Sequence, residues 1–223
     1  MKIVARIHTD FPEKFGIPRQ SGLADALTAT VVFEPEYRNA DALRGLEDFS
    51  HIWLIWQFSE AVRDNWSPTV RPPRLGGNTR MGVFATRSPF RPNPIGLSSV
   101  RLREICYDTA QGPVLIVEGA DLMDGTPIYD IKPYLPITDC HTDAKGGFSD
   151  EKSGYSLQVI FPESLQCCLP AEKLTGLQQI LSQDPRPAYQ DDPAREYKLS
   201  YAGFRIVFQV EKDVLTVKKV ERE

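Results

Sequence analysis

The chain has 223 residues, of which 41% are apolar and 25% are charged, and its formal net charge is −4. This length allows one large domain, or one domain with a small appendage, and the composition is typical of globular proteins. No apolar run is long enough to cross a membrane, and the N-terminus lacks the apolar core of a signal peptide, so we expect a cytoplasmic protein.

Strand signals dominate the first two thirds of the chain. Segments rich in β-branched and aromatic residues predict strands at residues 3–8, 28–34, 51–58, 81–86, 98–107 and 114–119. A short helix is predicted at residues 40–46, with Asn39 as its cap and Gly45 weakening its end. Loops rich in proline and glycine separate these elements, a pattern typical of a closed or nearly closed β-barrel.

The composition changes at residues 141–154, which are polar and nearly free of large apolar side chains. We interpret this stretch as a linker or mobile loop. The elements predicted after it are a strand at 155–161, a helix at 171–182 that starts after Pro170, and strands at 197–201, 204–210 and 214–220. The last two strands are predicted to form a hairpin.

The sequence therefore predicts a mainly β protein with two domains. A β-barrel is expected at residues 1–145 and a small α+β domain at residues 155–223. No GxGxxG or GxxxxGK[ST] motif is present, so we do not expect a Rossmann fold. The four cysteines have no CxxC spacing and there are three histidines, so we expect reduced thiols and no metal site.

Positive charge is concentrated between residues 63 and 103. This stretch has eight arginines, no lysine and one acidic residue, a local net charge of +7 in an acidic protein. The arginines are Arg63, Arg71, Arg74, Arg80, Arg87, Arg91, Arg101 and Arg103. Because a guanidinium group binds phosphate bidentately and stacks on bases, the stretch indicates an anion-binding surface. The alternative is that these side chains spread over several solvated faces.

Two early loops carry polar groups in a constrained backbone. In FGIPRQ (residues 15–20), Pro18 keeps Ile17 extended and would present Arg19 and Gln20 outward. A plain surface crossover would have the same appearance. In FSHIW (residues 49–53), His51 opens an apolar strand, where it either contacts a ligand or simply caps the strand.

Two later loops show the same combination. SPFRPNPIGLS (residues 88–98) follows Arg87 and contains three prolines, which would hold Arg91 and Asn93 in fixed directions. LMDGTPIYDIKPYLP (residues 122–136) contains an Asp-Gly pair at Asp124, where a turn residue is the simplest interpretation. Further along this segment, Asp130 and Lys132 alternate onto one side, as members of a site or as an ordinary ion pair.

Taken in order, the motifs PRQ, FSHIW, TVRPPRLGGN, SPFRPNPIGLS and DGTPIYDIKPY resemble those of the TsaA/TrmO-like family, called YaeB in older naming. The resemblance is dense over residues 3–139. The motif DPRPAY (residues 184–189) extends it into the C-terminal region of the bacterial branch. Family members are S-adenosylmethionine-dependent tRNA methyltransferases built on a β-barrel. They form homodimers that bind the cofactor near the subunit interface.

The resemblance implies an activity and a set of site residues. The expected reaction is methylation of N6 of threonylcarbamoyladenosine at position 37 of the anticodon loop, in tRNAs that read threonine codons. The implied cofactor contacts are Pro18, Arg19, Gln20, His51, Ile52, Arg87, Leu97, Asp124, Gly125, Thr126 and Pro127.

Other residues are expected to contact tRNA or to handle the proton of the acceptor nitrogen. The expected tRNA contacts are Arg71, Arg74, Arg91, Asn93, Arg186 and Tyr189. For the C-terminal unit that carries Arg186 and Tyr189, a purely structural cap or a support for the dimer is an equal alternative. Asp130, Lys132 and Tyr134 are the candidates for orienting or deprotonating the acceptor nitrogen, because a ureido-like nitrogen is a weak nucleophile. Two other functions remain open from the residues alone: a non-catalytic RNA- or nucleotide-binding barrel, and a small-molecule methyltransferase on the same barrel.

Overall fold

A computed structural model describes residues 1–72, 79–152, 154–187, 190 and 192–223. The strands within these ranges are β1 Ala5–His8, β2 Thr28–Phe33, β3 His51–Gln57, β4 Thr69–Val70, β5 Met81–Gly82, β6 Ile95–Cys106, β7 Val114–Glu118, β8 Pro127–Pro133, β9 Gln158–Ile160, β10 Tyr197–Tyr201, β11 Phe204–Glu211 and β12 Val214–Arg222. The α-helices are α1 Pro136–Asp139, α2 Glu163–Gln166 and α3 Ala171–Ser182. None of the described helices is long and apolar enough to span a membrane.

The N-terminal part is a closed barrel in the order β1-β2-β7-β6-β3-β8, and each neighbouring pair is antiparallel. Alternate residues of each strand point inward, as strand geometry requires. In β3, Ile52, Leu54 and Trp56 are buried in the barrel, while the residues between them face outward. The prediction of a mainly β protein with a barrel is confirmed.

The C-terminal part is a four-stranded sheet in the order β10-β11-β12-β9, in which β9 runs parallel to β12. Helix α3 packs its apolar face on this sheet, burying Leu177, Ile180 and Leu181. Phe11 and Leu27, from the segment between β1 and β2, belong to the same hydrophobic core. The two parts of the chain are therefore joined by shared packing.

Several predicted elements are shorter or different in the structure. The strand predicted at residues 81–86 is only Met81–Gly82, and the 3-10 turn Val83–Ala85 follows it. The helix predicted at residues 40–46 is wrong: two 3-10 turns, Ala40–Leu43 and Leu46–Asp48, are separated by Gly45 at φ +85°. Asn39 does cap the first turn, since its side chain accepts a hydrogen bond from the Asp41 amide.

Strand β8 was not predicted, although it closes the barrel between β1 and β3. Proline lies at each end of it, and proline normally argues against a central strand. Both prolines sit at strand ends, where the missing N–H costs least. Inside the predicted linker, the structure contains the 3-10 segment Gly147–Lys152.

The contact between α3 and the β1–β2 segment has no room for a side chain at Gly176. A Cβ there would lie 2.8 Å from Leu27 Cδ2 and 3.0 Å from Tyr201 Oη. We expect Gly176→Val to lower the free energy of unfolding by about 1–3 kcal/mol, because the buried contact must open. Thr175→Val places the same side chain at the neighbouring exposed position of α3 and should stay within about 0.5 kcal/mol of wild type. Urea denaturation measures both, and equal values for the two variants would contradict the shared packing.

Candidate active site

A cavity of about 790 Å³ opens at the end of the barrel where β3 finishes and β6 begins. Its walls come from the loop before β2, the segment after β3, the loop before β6 and the segment between β7 and β8. This volume lies within the range of small-molecule sites. Six of the eleven implied cofactor contacts line it: Pro18, Arg19, Gln20, Arg87, Leu97 and Thr126.

The loop of residues 15–20 is seated on the C-terminal sheet. Gly16 is buried at φ +91°, and Leu199 of β10 occupies the place where a Cβ would stand. Arg19 Nη2 donates a hydrogen bond of 2.9 Å to the Asp184 carbonyl, which follows α3. Gln20 Oε1 accepts from Arg87 Nη1, so this loop also meets the loop before β6. The C-terminal part therefore fixes one wall of the cavity.

Arg186, which the sequence placed among the tRNA contacts, has a different position in the structure. Its side chain is 8% exposed and donates to both carboxylate oxygens of Asp184, at 2.8 and 2.9 Å. Asp184 itself takes the left-handed conformation, φ +53°, and presents the carbonyl that Arg19 binds. The structure does not support a phosphate contact by Arg186, because its guanidinium is buried against a carboxylate that stabilises this turn.

The loop of residues 88–94 holds its arginine through local bonds. Arg91 Nη1 donates to the Thr86 carbonyl at 3.0 Å, and the Ile95 amide donates to the Asn93 carbonyl at 2.7 Å. The guanidinium of Arg63 lies 3.9 Å from the centre of the Phe90 ring. Arg91 and Asn93 line the same cavity as Arg87. The rigid loop thus presents its polar groups to the cavity rather than to a separate surface.

Two residues that line the cavity, Trp56 and Asp121, are linked by a hydrogen-bonded chain that the sequence did not reveal. Trp56 Nε1 donates to Ser98 Oγ at 3.0 Å, and Ser98 Oγ donates to Asp121 Oδ1 at 2.5 Å. Burial raises the pKa of the Asp121 carboxyl above its usual range, although the Ser98 hydrogen bond and the nearby Arg87 act in the opposite direction. A Cβ at Gly96 would lie 2.2 Å from the Trp56 ring, so only glycine lets the indole reach Ser98.

Five implied cofactor contacts do not line the cavity. Ile52 is 0% exposed inside the barrel, and His51 lies at the other end of β3, about 20 Å along the strand. Asp124 Oδ1 accepts from the Thr9 amide at 3.0 Å and lies 3.2 Å from His8 Nδ1. Gly125, the next residue, has a left-handed conformation, so Asp124 occupies a turn, as the Asp-Gly pair suggested. Pro127 is buried at the start of β8.

The three residues predicted to handle a proton lie on the outer face of the barrel. Asp130 and Lys132 form an ion pair of 2.9 Å, and Lys132 lines a second depression of about 350 Å³ together with Leu97. Tyr134 packs its ring on Trp53, with centroids 5.5 Å apart. Desolvation raises the pKa of the Tyr134 phenol, which disfavours a phenolate base. Leu97 lines both depressions, whereas none of these three residues is among those that line the main cavity.

The arginines of residues 63–103 do not all lie on one anion-binding surface. Arg87 and Arg91 face the cavity, whereas Arg101 and Arg103 approach Glu118 at 3.8 and 3.7 Å on the outside of the barrel. Arg71 is exposed. Arg74 and Tyr189, both predicted tRNA contacts, lie outside the described residues.

Comparison with known proteins gives matches along nearly the whole chain. The model of the tRNA-methyltransferase O N-terminal domain matches residues 6–140, and that of the TrmO C-terminal domain matches residues 155–223. A tRNA (adenine(37)-N6)-methyltransferase of Escherichia coli K12 is 42% identical over 213 residues, covering 92% of this chain and 90% of the relative.

Two matches from Pseudomonas aeruginosa agree with these. A protein named "Putative S-adenosylmethionine-dependent methyltransferase RcsF" is 42% identical over 203 residues, covering 87% of this chain and 85% of its own. A crystal structure of TrmO from the same species superposes with a TM-score of 0.76 at 33% identity, covering 100% of this chain and 97% of that one.

The Asp184–Arg186 pair yields a stability prediction. Arg186→Ala leaves a buried carboxylate without its main partner, so we expect the free energy of unfolding to fall by about 3 kcal/mol. The double variant Asp184→Asn/Arg186→Ala should recover part of that loss, because no buried charge remains. Arg44→Ala breaks an exposed pair with Asp41 and should cost no more than about 0.5 kcal/mol. Urea denaturation of the four proteins tests this, and a loss for Arg186→Ala as small as for Arg44→Ala would contradict it.

Proposed function

The chain belongs to the tRNA-methyltransferase O family, and we propose that it methylates N6 of threonylcarbamoyladenosine at position 37 of tRNAs reading threonine codons, with S-adenosylmethionine as methyl donor. The E. coli relative, named for adenine 37 and N6, supports the position and the atom. The threonylcarbamoyl group and the threonine codons follow from the family resemblance of the motifs. A tRNA substrate also supports a cytoplasmic location.

The observation that carries the proposal is the single cavity shared by the PRQ loop, Arg87, Leu97 and Thr126. S-adenosylmethionine supplies an activated methyl group on a sulfonium, and it also carries a carboxylate and an adenine ring. The guanidinium groups of Arg87 and Arg91 suit the carboxylate. The apolar side chains of Ile17, Phe58 and Met123 in the same walls suit the adenine.

Binding of the anticodon loop would use the rim of this cavity. Arg63, which is exposed and lies over the ring of Phe90, provides positive charge there, and large aromatic side chains are also exposed. Phe84 is 73% exposed and its ring centre is 6.1 Å from that of Trp66. Unstacked bases bind to such rings, and arginines bind the phosphates between them. Arg71 remains a predicted phosphate contact beside this group.

An apolar outer face of the barrel supports the expected homodimer. Leu97 is 52% exposed, and it lies beside Trp53 and Ile55 in the second depression. Ile137 of α1 is 93% exposed, close to the place where Asp139 accepts a hydrogen bond from Trp53 Nε1. Contiguous exposed apolar surface of this kind is typical of protein interfaces. Asp130, Lys132 and Tyr134 adjoin this face, and their role at the acceptor nitrogen stays a prediction.

The enzymatic proposal is tested with purified protein, labelled S-adenosylmethionine and threonine tRNA that carries threonylcarbamoyladenosine. We expect one methyl group on the modified nucleoside, identified by mass spectrometry of the digested tRNA. The same tRNA without the threonylcarbamoyl group should be a poor acceptor. Binding should weaken steeply with salt, because arginine–phosphate contacts release counterions. Tight tRNA binding without any transfer would instead favour a non-catalytic RNA-binding barrel.

The dimer is tested by sedimentation equilibrium. We expect a dimer for the wild type and a monomer for Ile55→Asp, because a charge would be buried in the apolar contact. Ile160→Asp changes an exposed isoleucine on β9, in the C-terminal sheet, and should leave the dimer intact. A monomeric wild type at micromolar concentration, or dissociation of both variants alike, would contradict an interface on this face.

A further inference from the structure

Asp121 differs from the other residues of the cavity in its position and in the hydrogen bonds that hold its side chain. It lines the cavity, beyond the end of β7, in a segment that none of the sequence motifs singles out. Its carboxylate is fixed by the hydroxyl of Ser98, which is 1% exposed and is itself oriented by the Trp56 indole. The other acidic residue among the described cavity residues is Glu60, which is exposed at the rim.

The acceptor in the proposed reaction needs such a group. N6 of threonylcarbamoyladenosine bears one hydrogen, and its lone pair is delocalised into both the purine ring and the carbamoyl carbonyl. Methylation of a nitrogen of this kind must remove its proton, or the product would be a strongly acidic cation. A carboxylate held within reach of the nitrogen lowers that barrier, by a factor of about 10² to 10⁴ for positioned bases.

We propose that Asp121 is the general base of this site, a conclusion that rests on the proposed function. The new N6–CH₃ bond forms as the methyl–sulfur bond breaks, and the electron pair of that bond goes to sulfur. The proton of N6 passes to the Asp121 carboxylate, which later returns it to solvent. Ser98 is a positioning residue: its hydroxyl holds the carboxylate plane, and the Trp56 N–H holds that hydroxyl.

The surroundings suit a carboxylate that must accept a proton. Burial raises the pKa of Asp121, which makes it a stronger base than an exposed carboxylate. The hydrogen bonds from Ser98 and the Ser21 backbone, together with Arg87, act in the opposite direction and favour the charged form, so they limit the rise in the pKa. Among the described residues, the other charged groups that line the cavity are Lys14, Arg19, Glu60 and Arg91.

The alternative role for Asp121 is to bind the cofactor, and experiment distinguishes that role from the role of a base. A carboxylate in this cavity could bind the positive charge of S-adenosylmethionine instead of the proton of N6. Removal of a cation-binding carboxylate weakens cofactor affinity, and saturating cofactor restores the rate. Removal of a base lowers the rate of the chemical step at saturating cofactor and leaves affinity nearly unchanged.

The test compares wild type, Asp121→Asn and Asp121→Glu in single-turnover methylation at saturating S-adenosylmethionine and modified tRNA. Asparagine keeps the acceptor for the Ser98 hydroxyl, so the fold should be retained. We expect Asp121→Asn to lower the rate at least about 100-fold. The cofactor dissociation constant from calorimetry should stay within about threefold of wild type, a change below 1 kcal/mol. Asp108→Asn, an exposed carboxylate between β6 and β7, is the matched control and should keep the wild-type rate.

The pH dependence gives a readout that a purely structural role would not produce. The wild-type rate should fall in acid with a slope of one proton as Asp121 protonates, and Asp121→Glu should keep this limb at a reduced rate. The acid limbs of the wild type and of Asp121→Glu test the role of Asp121 as a base even if Asp121→Asn folds poorly. An Asp121→Asn rate within about threefold of wild type, a loss that extra cofactor restores, or a flat acid limb would each overturn the proposal. Absence of methylation by the wild type would instead refute the function itself.

Discussion

The position of the segment between β1 and β2 is the constraint on which the site depends. Its residues Phe11 and Leu27 lie in the core of the C-terminal part, against α3 and the sheet. Polar contacts attach both ends of this segment to α3. Near its start, Lys173 forms an ion pair of 2.6 Å with Asp10. Near its end, Gln179 Oε1 accepts a hydrogen bond from the Ala26 amide. The loop of residues 15–20 lies between these anchors. One wall of the barrel's cavity is therefore built on another part of the chain.

This attachment gives the C-terminal part a role within the active site. Asp184 is held in a left-handed conformation by its own pair with Arg186, and its carbonyl then receives the Arg19 guanidinium. Gln20, the next residue, accepts a hydrogen bond from Arg87 of the loop before β6. A ligand that enters this cavity meets side chains that are already ordered, which reduces the entropy lost on binding. The C-terminal part thus orients the loop of residues 15–20.

Five of the six barrel strands could be predicted from local patterns, because each is rich in β-branched and aromatic residues. Strand β8 could not be predicted in this way, because it begins and ends with proline and its pairing with β1 and β3 appears only in the folded barrel. The site divides in the same way. Pro18, Arg19 and Gln20, which line the cavity, could be predicted together because they are adjacent in one motif of the family resemblance. Asp121 and Ser98 were missed, because 22 residues and the turn between β6 and β7 separate two groups that only the barrel brings together.

The energetics of Asp121 explain why such a group would be confined to a site. Its pKa is raised on folding, so its protonated form favours the native state at low pH, and that stabilisation is lost as pH rises through the folded-state pKa. Near neutral pH the half-buried carboxylate therefore opposes folding. The Ser98 hydrogen bond and Arg87 reduce this cost without removing it, since the net direction of the pKa remains upward. An asparagine would fill the same space without that cost. A carboxylate that lowers stability where an isosteric amide would not is the arrangement expected when catalysis requires the charge.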